Sequence, residues 1–304
     1  MYDVRELMPG IHQIHCQGED RYGLGDGRTV MYAAWFLAGP PAAIIEPGPT
    51  SVAEVLLQAI RDLGYDPQAV EMVAATHIHV DHAGGLGYLA RELPRARFAV
   101  HHRGVRHMAD PARLVASTTA TFDPHWEEVF GPIDAVPADR LLAVDNGDQL
   151  ALAGRLHRVI YTPGHAPHHV SLYDEETGLL YCGEALGLPL PGLHTVAPVA
   201  SPPAWDLEAA LASVDKLGRL DSQAICYSHV GDVGLDPRTA IEFANKCTKD
   251  MATIIRQALA KGVDREELNR RLCVYAFNDA NYPYRFDLTI AGFDMYFQRI
   301  REDS

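Results

Sequence analysis

Thr76-His77-Ile78-His79-Val80-Asp81-His82-Ala83-Gly84-Gly85 is the stretch on which the reading of this chain turns. Four ligand-type side chains fall within six residues, directly after a short run (70–76) whose apolar content predicts a buried strand. Three imidazoles and a carboxylate at that density cannot all be core residues, because buried ionisable groups need partners. Side chains alternate along an extended chain, so His77 and His79 share a face and both can reach one cation. If the chain turns at the glycines, Asp81 and His82 face a second position a few ångströms away. Two metals so placed clamp a bridging hydroxide and make a nucleophile at neutral pH.

Outward from that stretch, the sequence divides into two strand-rich segments, each followed by helices. The first 48 residues read as β structure, with strands over 30–38 and 42–45 around the turn Gly39-Pro40-Pro41. Thr50 or Ser51 caps a helix whose apolar positions Val52, Val55, Leu56, Ala59, Ile60 and Leu63 recur at helical spacing up to Gly64. A helix over 86–93 ends at Pro94, and a strand follows over 97–101. Residues 105–130 are helical but polar and broken at Asp110-Pro111 and Asp123-Pro124, which suits a cover over a site. Residues 141–160 alternate like a hairpin with Asn146-Gly147 near its turn. Paired strands are expected over 170–173 and 179–182, a Pro-rich loop over 187–203, a helix over 207–217 and a strand over 224–227. Beyond Asp236-Pro237 the pattern is all helix, at 238–261, 265–272 and 286–300. The expectation is an α+β fold in which two sheets pack together with helices outside. It divides into a catalytic unit over 1–235 and a helical C-terminal extension over 236–304.

Further ligand-type residues stand at the ends of later strands: His165 in Thr162-Pro163-Gly164-His165, Glu184 in Tyr181-Cys182-Gly183-Glu184, and His229 in Cys226-Tyr227-Ser228-His229. Singly these are weak signals; their weight lies in serial order after the first motif. In that order they resemble the metallo-β-lactamase superfamily over roughly residues 10–232. The family's His-x-His-x-Asp-His motif is matched by His77, His79, Asp81 and His82, its next histidine by His165, its bridging acid by Glu184 and its last histidine by His229. The resemblance implies a four-layer αβ/βα sandwich with the site at one edge between the sheets. It also implies one metal on His77, His79 and His165, a second on Asp81, His82 and His229, and Glu184 bridging them. Glyoxalase-II-type and general metal-dependent hydrolases look nearest, and His101-His102-Arg103-Gly104 with the segment from His107 to Ser117 resembles a subgroup of uncharacterised bacterial and archaeal members.

Two departures stand out. Glu184 replaces the family's usual Asp, and Glu46, in Ile45-Glu46-Pro47-Gly48, replaces the Asp that commonly supports the metal loop from behind. Each keeps the charge and adds one methylene. Of the other histidines, His169 is expected to orient its loop, and His194 to line the pocket. His101, His102 and His107 read either as pocket residues or as a solvated helix start. Tyr227, beside His229, is a candidate to polarise a carbonyl, although a strand aromatic more often packs.

Composition narrows the function. The 304 residues include 26 Lys and Arg against 40 Asp and Glu, a net charge of −14, which opposes a nucleic-acid or anionic-membrane partner. Five scattered cysteines without a C-x-x-C pair suit a reduced interior, and no apolar leader opens the sequence, so a cytoplasmic protein is expected. No G-x-S-x-G elbow competes as a nucleophile. The leading expectation is a hydrolase of a thioester, lactone or phosphoester. It would use a metal-bound hydroxide on two divalent ions, zinc first with iron or manganese as alternatives, and Asp81 as ligand and proton shuttle. The partner would be a small molecule, with a homodimer possible through the C-terminal helices. The rivals are an iron-dependent oxidoreductase of persulfide-dioxygenase type and a non-catalytic metal-binding sensor.

Overall fold

Strand pairing begins at the N-terminus of the computed structural model, which describes residues 1–21, 29–190 and 195–302. β1 (Tyr2–Met8), β2 (Ile11–Glu19), β3 (Thr29–Leu37) and β4 (Ala42–Ile45) form an antiparallel meander. β5 (Val70–Ala74), β6 (Arg97–His101) and β7 (Leu141–Val144) then add in parallel, completing a seven-stranded sheet in sequence order. Parallel neighbours require long crossovers. These carry α1 (Thr50–Asp62), then α2 (Val80–Ala83) with α3 (Leu86–Glu92), and then α4 (His102–Ala109), α5 (Ala112–Thr121) and α6 (Glu127–Phe130). The second sheet has β8 (Gln149–Leu152), β9 (Arg155–Tyr161), β10 (Val170–Asp174) and β11 (Leu179–Gly183) antiparallel in turn. β14 (Ala224–Tyr227) lies parallel to β11, reached through α7 (Leu207–Leu217).

Period-two alternation makes the layers. Along β3, Trp35 and Leu37 join Ile45, Ala74, Val159, Leu172 and Tyr181 between the two sheets, while Ala34 and Phe36 face α1 on the outer side. The stripe Val52, Leu56, Ala59 and Ile60 of α1 is buried there. Outside the second sheet, Ile225 and Tyr227 pack with Leu180, Cys182, Val214 and Ala244. The result is the four-layer αβ/βα sandwich. α8 (Pro237–Ala260), α9 (Arg265–Phe277) and α10 (Asp287–Glu302) follow, packing with Leu190, Ala197, Ala200 and Trp205 around Met251, Ile255, Leu272 and Phe293. Gly292 is what lets α10 press onto the 196–203 segment: a Cβ there would sit 1.9 Å from the Ala200 carbonyl oxygen. No helix among the described residues is long and apolar enough to cross a membrane, and all five cysteines are buried and unpaired.

Two expectations are corrected. Residues 141–160 are not one hairpin: β7 closes the first sheet, and the chain crosses at Asn146-Gly147 into the second, where β8 and β9 turn at Ala153-Gly154. The positive φ of Ala153 (49°) and Gly154 (78°) is what a tight two-residue hairpin demands. Asn-Gly supplies the same chemistry to any sharp turn, so the dipeptide did not distinguish a hairpin from a crossover. The Pro-rich loop also contains a short ladder, β12 (Leu188–Pro189) against β13 (Val196–Ala197).

Candidate metal centre

The loop after β5 is clamped from both sheets. Thr76 N–H donates to Glu46 Oε1 at 2.6 Å, and the Thr76 carbonyl accepts from Val170 N–H at 2.8 Å. Fixed there, His77 lies in the loop, His79 sits at the N-cap position of α2, and Asp81 and His82 occupy that single helical turn. His165 follows β9, Glu184 follows β11, and His229 follows β14. Gly183 makes the Glu184 turn possible: at φ +57° it packs so closely that a Cβ would fall 2.5 Å from His169 Nε2 and 2.6 Å from Thr76 Oγ1.

The structure brings the seven ligand candidates together in two groups. In the first, His77 Nε2, His79 Nδ1 and His165 Nε2 lie 2.8–3.1 Å apart, with Glu184 Oε2 2.8 Å from His165 and 3.5 Å from His77. In the second, Asp81 Oδ2 stands 3.4 Å from His82 Nε2 and 3.6 Å from His229 Nε2. Glu184 joins them: its Oε2 is 3.5 Å from His82 Nε2 and its Oε1 is 3.3 Å from His229 Nε2.

The outward hydrogen bonds fix which nitrogens face inward. His82 Nδ1 donates to Glu46 Oε2 at 2.6 Å, His165 Nδ1 to the Val199 carbonyl at 2.7 Å, and His229 Nδ1 to the Met31 carbonyl at 3.2 Å. Each therefore turns Nε2 toward the centre, the nitrogen that offers a lone pair when the ring gives up its inner proton, as a metal-binding histidine does when its far nitrogen is held by an acceptor. His82 Nε2 and His229 Nε2 are buried and have no hydrogen-bond partner among the described residues. Converging lone pairs, buried carboxylates and orphaned nitrogens are what divalent cations would satisfy, so this donor set fits metal.

Electrostatics agree. Burial drives His77 well below the ordinary histidine range and His79 down to about 3, with neighbouring imidazoles adding to it. Burial opposes ionisation of Asp81 and Glu184, yet His82 outweighs it at Asp81, held at about 2, and His165 with His82 holds Glu184 well below the carboxylate range. Burial also opposes charge on His82, but Asp81, Glu46 and Glu184 push it up. The negative charge that draws a proton to that position draws a dication more strongly.

Among the supporting residues, Glu46 accepts from Thr76 and His82 at once, in a left-handed backbone (φ +59°) that non-glycine residues seldom adopt. His169 is engaged on both nitrogens: Nε2 accepts from Glu184 N–H at 3.1 Å, and Nδ1 bonds Thr162 Oγ1 at 2.8 Å. It holds the Glu184 backbone and has no lone pair left for a cation. Tyr227 is a correction: alternation along β14 turns its ring to the outer face of the second sheet, in the core beneath α7 and α8, and it does not line the cavity. His194 lies outside the described residues.

Above the ligands opens a cavity of about 260 Å³, floored by His79, Asp81, His165, Glu184 and His229. His168, given no role by the sequence, lines it beside His165, its Nδ1 accepting from Ile78 N–H at 3.4 Å. Leu114 and Phe122, in the broken helical stretch read as a cover, form one wall; Tyr284, Arg285 and Leu288 form another. No local signal pointed to these last three, since they reach the site only through the packing of α10. None of His101, His102 and His107 lines this cavity; His101 and His102 instead group with Asp145 at the end of β6.

Comparison with known proteins gives a consistent result. The sequence profile of the Metallo-beta-lactamase superfamily matches residues 27–229. A hydroxyacylglutathione hydrolase of Synechococcus sp. is 30% identical over 147 residues, 48% of this chain and 44% of its own length, so the match spans a little under half of that relative. A metallo-β-lactamase family protein of Thermus thermophilus superposes with a TM-score of 0.68 over 98% of this chain and 95% of its own, at 24% identity. An archaeal metallo-β-lactamase superfamily protein of Sulfolobus tokodaii does so with a TM-score of 0.62 over 80% and 86%, at 22% identity. The two structural likenesses are likenesses of fold.

Proposed function

This chain belongs to the metallo-β-lactamase superfamily, and from that membership and the geometry of its site we propose that it hydrolyses an ester-like bond, a thioester, lactone or phosphoester, with two divalent metal ions, zinc first. The carrying observation is the convergence of seven ligand-type side chains from four separate chain segments, with Glu184 reaching nitrogens of both groups. His77, His79 and His165 would hold one ion, Asp81, His82 and His229 the other, and Glu184 would touch both. Bound there, the ions would supply the Lewis acidity that activates water and polarises the scissile bond.

The chain's own residues do the remaining work. Asp81, ionised at neutral pH and facing the cavity, accepts the proton released by water and returns it to the leaving group. Glu46 and His169 hold the loop and the Glu184 backbone so that the ligands need no reorganisation. Leu114 and Phe122 keep bulk water from the reacting centre. The partner is a small molecule entering this cavity, residues 1–235 are the catalytic unit, and the helices beyond it complete one wall.

Elemental analysis after reconstitution, followed by a panel of thioesters, lactones and phosphodiesters, tests the reading. Two ions per chain with turnover in at least one class is the expected result. Full metal occupancy without turnover would favour a binding protein, and one iron per chain with sulfite formed from glutathione persulfide would favour the oxygenase alternative.

A further inference from the structure

We infer that the substrate presents its reacting bond on an uncharged aliphatic acyl group, and not on a polyionic carrier such as glutathione or a nucleotide. This rests on the hydrolase reading and concerns the walls of the same cavity. Away from the ligands, those walls are largely apolar, with Leu114, Phe122, Leu188, Val199 and Leu288 interrupted by Ser117, Ser201, His168 and Tyr284. The threonines among them do not offer free donors: Thr118 Oγ1 donates to the Leu114 carbonyl at 2.9 Å, Thr121 Oγ1 to the Ser117 carbonyl at 3.0 Å, and Thr289 Oγ1 to the Pro198 carbonyl at 3.2 Å. With those protons engaged, these side chains contribute mainly methyl surface to a passing ligand.

Arg285 is the one Lys or Arg side chain lining the cavity among the described residues, and it is already matched. Its Nη1 and Nη2 donate to Glu266 at 3.0 and 2.8 Å, and its Nε and Nη2 to Asp287 at 2.8 and 3.2 Å. One guanidinium between two carboxylates leaves that corner net negative. A substrate carboxylate or phosphate arriving there would break bidentate bonds and meet repulsion, a cost that an alkyl chain avoids.

The test compares N-acetylcysteamine thioesters of acetate, butanoate and hexanoate with hexanoyl-glutathione, using the metal-loaded full chain. kcat/KM is expected to rise about fourfold per added methylene, the Boltzmann factor for burying one such group, and to be tenfold or more lower on the glutathione carrier. Leu288→Asp should flatten the chain-length slope. A flat series in the parent protein, a preference for glutathione, or selective loss of the glutathione thioester in Arg285→Ala would overturn the inference. If no ester turns over, the hydrolase reading fails by itself, and equilibrium binding still decides about the walls. Hexanamide should then bind at least tenfold tighter than acetamide, with glutathione failing to compete; equal binding of the two amides, or competition by glutathione, would overturn it.

Discussion

Among the described residues two histidine clusters stand out, and one of the two is built like a metal site. The first gathers His77, His79, His165 and Glu184 beside Asp81, His82 and His229; the second gathers His101, His102 and Asp145. By residue type and proximity they look alike. The hydrogen bonds separate them. In the first, the outer nitrogens of His82, His165 and His229 donate away from the centre, leaving lone pairs inside. In the second, His101 Nδ1 accepts from Arg103 N–H at 3.4 Å, capping α4, so its neutral ring carries the proton on Nε2, 3.6 Å from Asp145. Asp145 is itself exposed and already accepts from Asn146 N–H at 2.7 Å. Ligand chemistry is therefore decided by what stands behind each ring, and the contrast can be tested.

The largest effect is expected from His77→Ala with His79→Ala. Bound metal should fall by at least one ion per chain and hydrolysis to background, while the metal-free unfolding midpoint stays within about 5 °C, since the sandwich core does not depend on the site. Elemental analysis and thermal circular dichroism read this directly; global unfolding of the variant would show that core and site are not separable. Glu184→Gln should come next. Replacing the carboxylate that reaches both groups with a neutral amide leaves two dications less screened from one another. Affinity at the Asp81, His82 and His229 position should drop by roughly 10-fold or more, since losing a group that merely supports a ligand already costs about 10- to 100-fold. Two ions bound as tightly as in the parent protein would remove the bridging role.

The reach of the sequence was uneven for the same reason that these two clusters differ. Alternation placed His77 and His79 together and put most strands where they are, because period two and apolar runs are local properties. The four-layer arrangement followed from two strand-rich halves each trailed by helices, and from the family resemblance. What escaped was whatever depends on the partner across a gap. Asn146-Gly147 looked the same whether its flanking strands paired with each other or with different sheets. Tyr227 stood beside a ligand candidate in sequence but on the opposite face of its strand. His168 and His169 are adjacent, yet one lines the cavity and the other has both nitrogens engaged, a division made by Ile78, Thr162 and Glu184. Leu288 meets the site only because Gly292 admits α10 against Ala200.

Glu46→Gln sharpens the comparison at smaller cost. The carboxylate accepts two N–H groups, from Thr76 and from His82. The amide has one oxygen, so its NH₂ must face one of those donors, and either the loop or the His82 tautomer is loosened. A loss of metal affinity of about tenfold is expected, greater at the His82 position than at the His77 position; Glu46→Asp, which keeps both acceptors, should recover part of it. Equal affinity in all three proteins, measured by competition with a chelator, would mean that the histidine needs no support from behind.

The smallest expected effect is none, and it is the most discriminating. His101→Ala with His102→Ala removes two of the three ligand-type groups of the second cluster. If hydrogen-bond direction decides, metal stoichiometry and affinity in this variant equal those of the parent protein. Stability alone should change, by roughly 1–2 kcal/mol, because the His101 ring is buried, stacks on Tyr161 at 4.9 Å and caps α4. His101→Asn, which keeps a capping acceptor while removing the ring, should restore only the capping share of that loss. Binding of a third equivalent of metal by the parent protein, lost in the double variant, would show that His101 can exchange its cap for a cation, and proximity would then outweigh tautomer in both clusters.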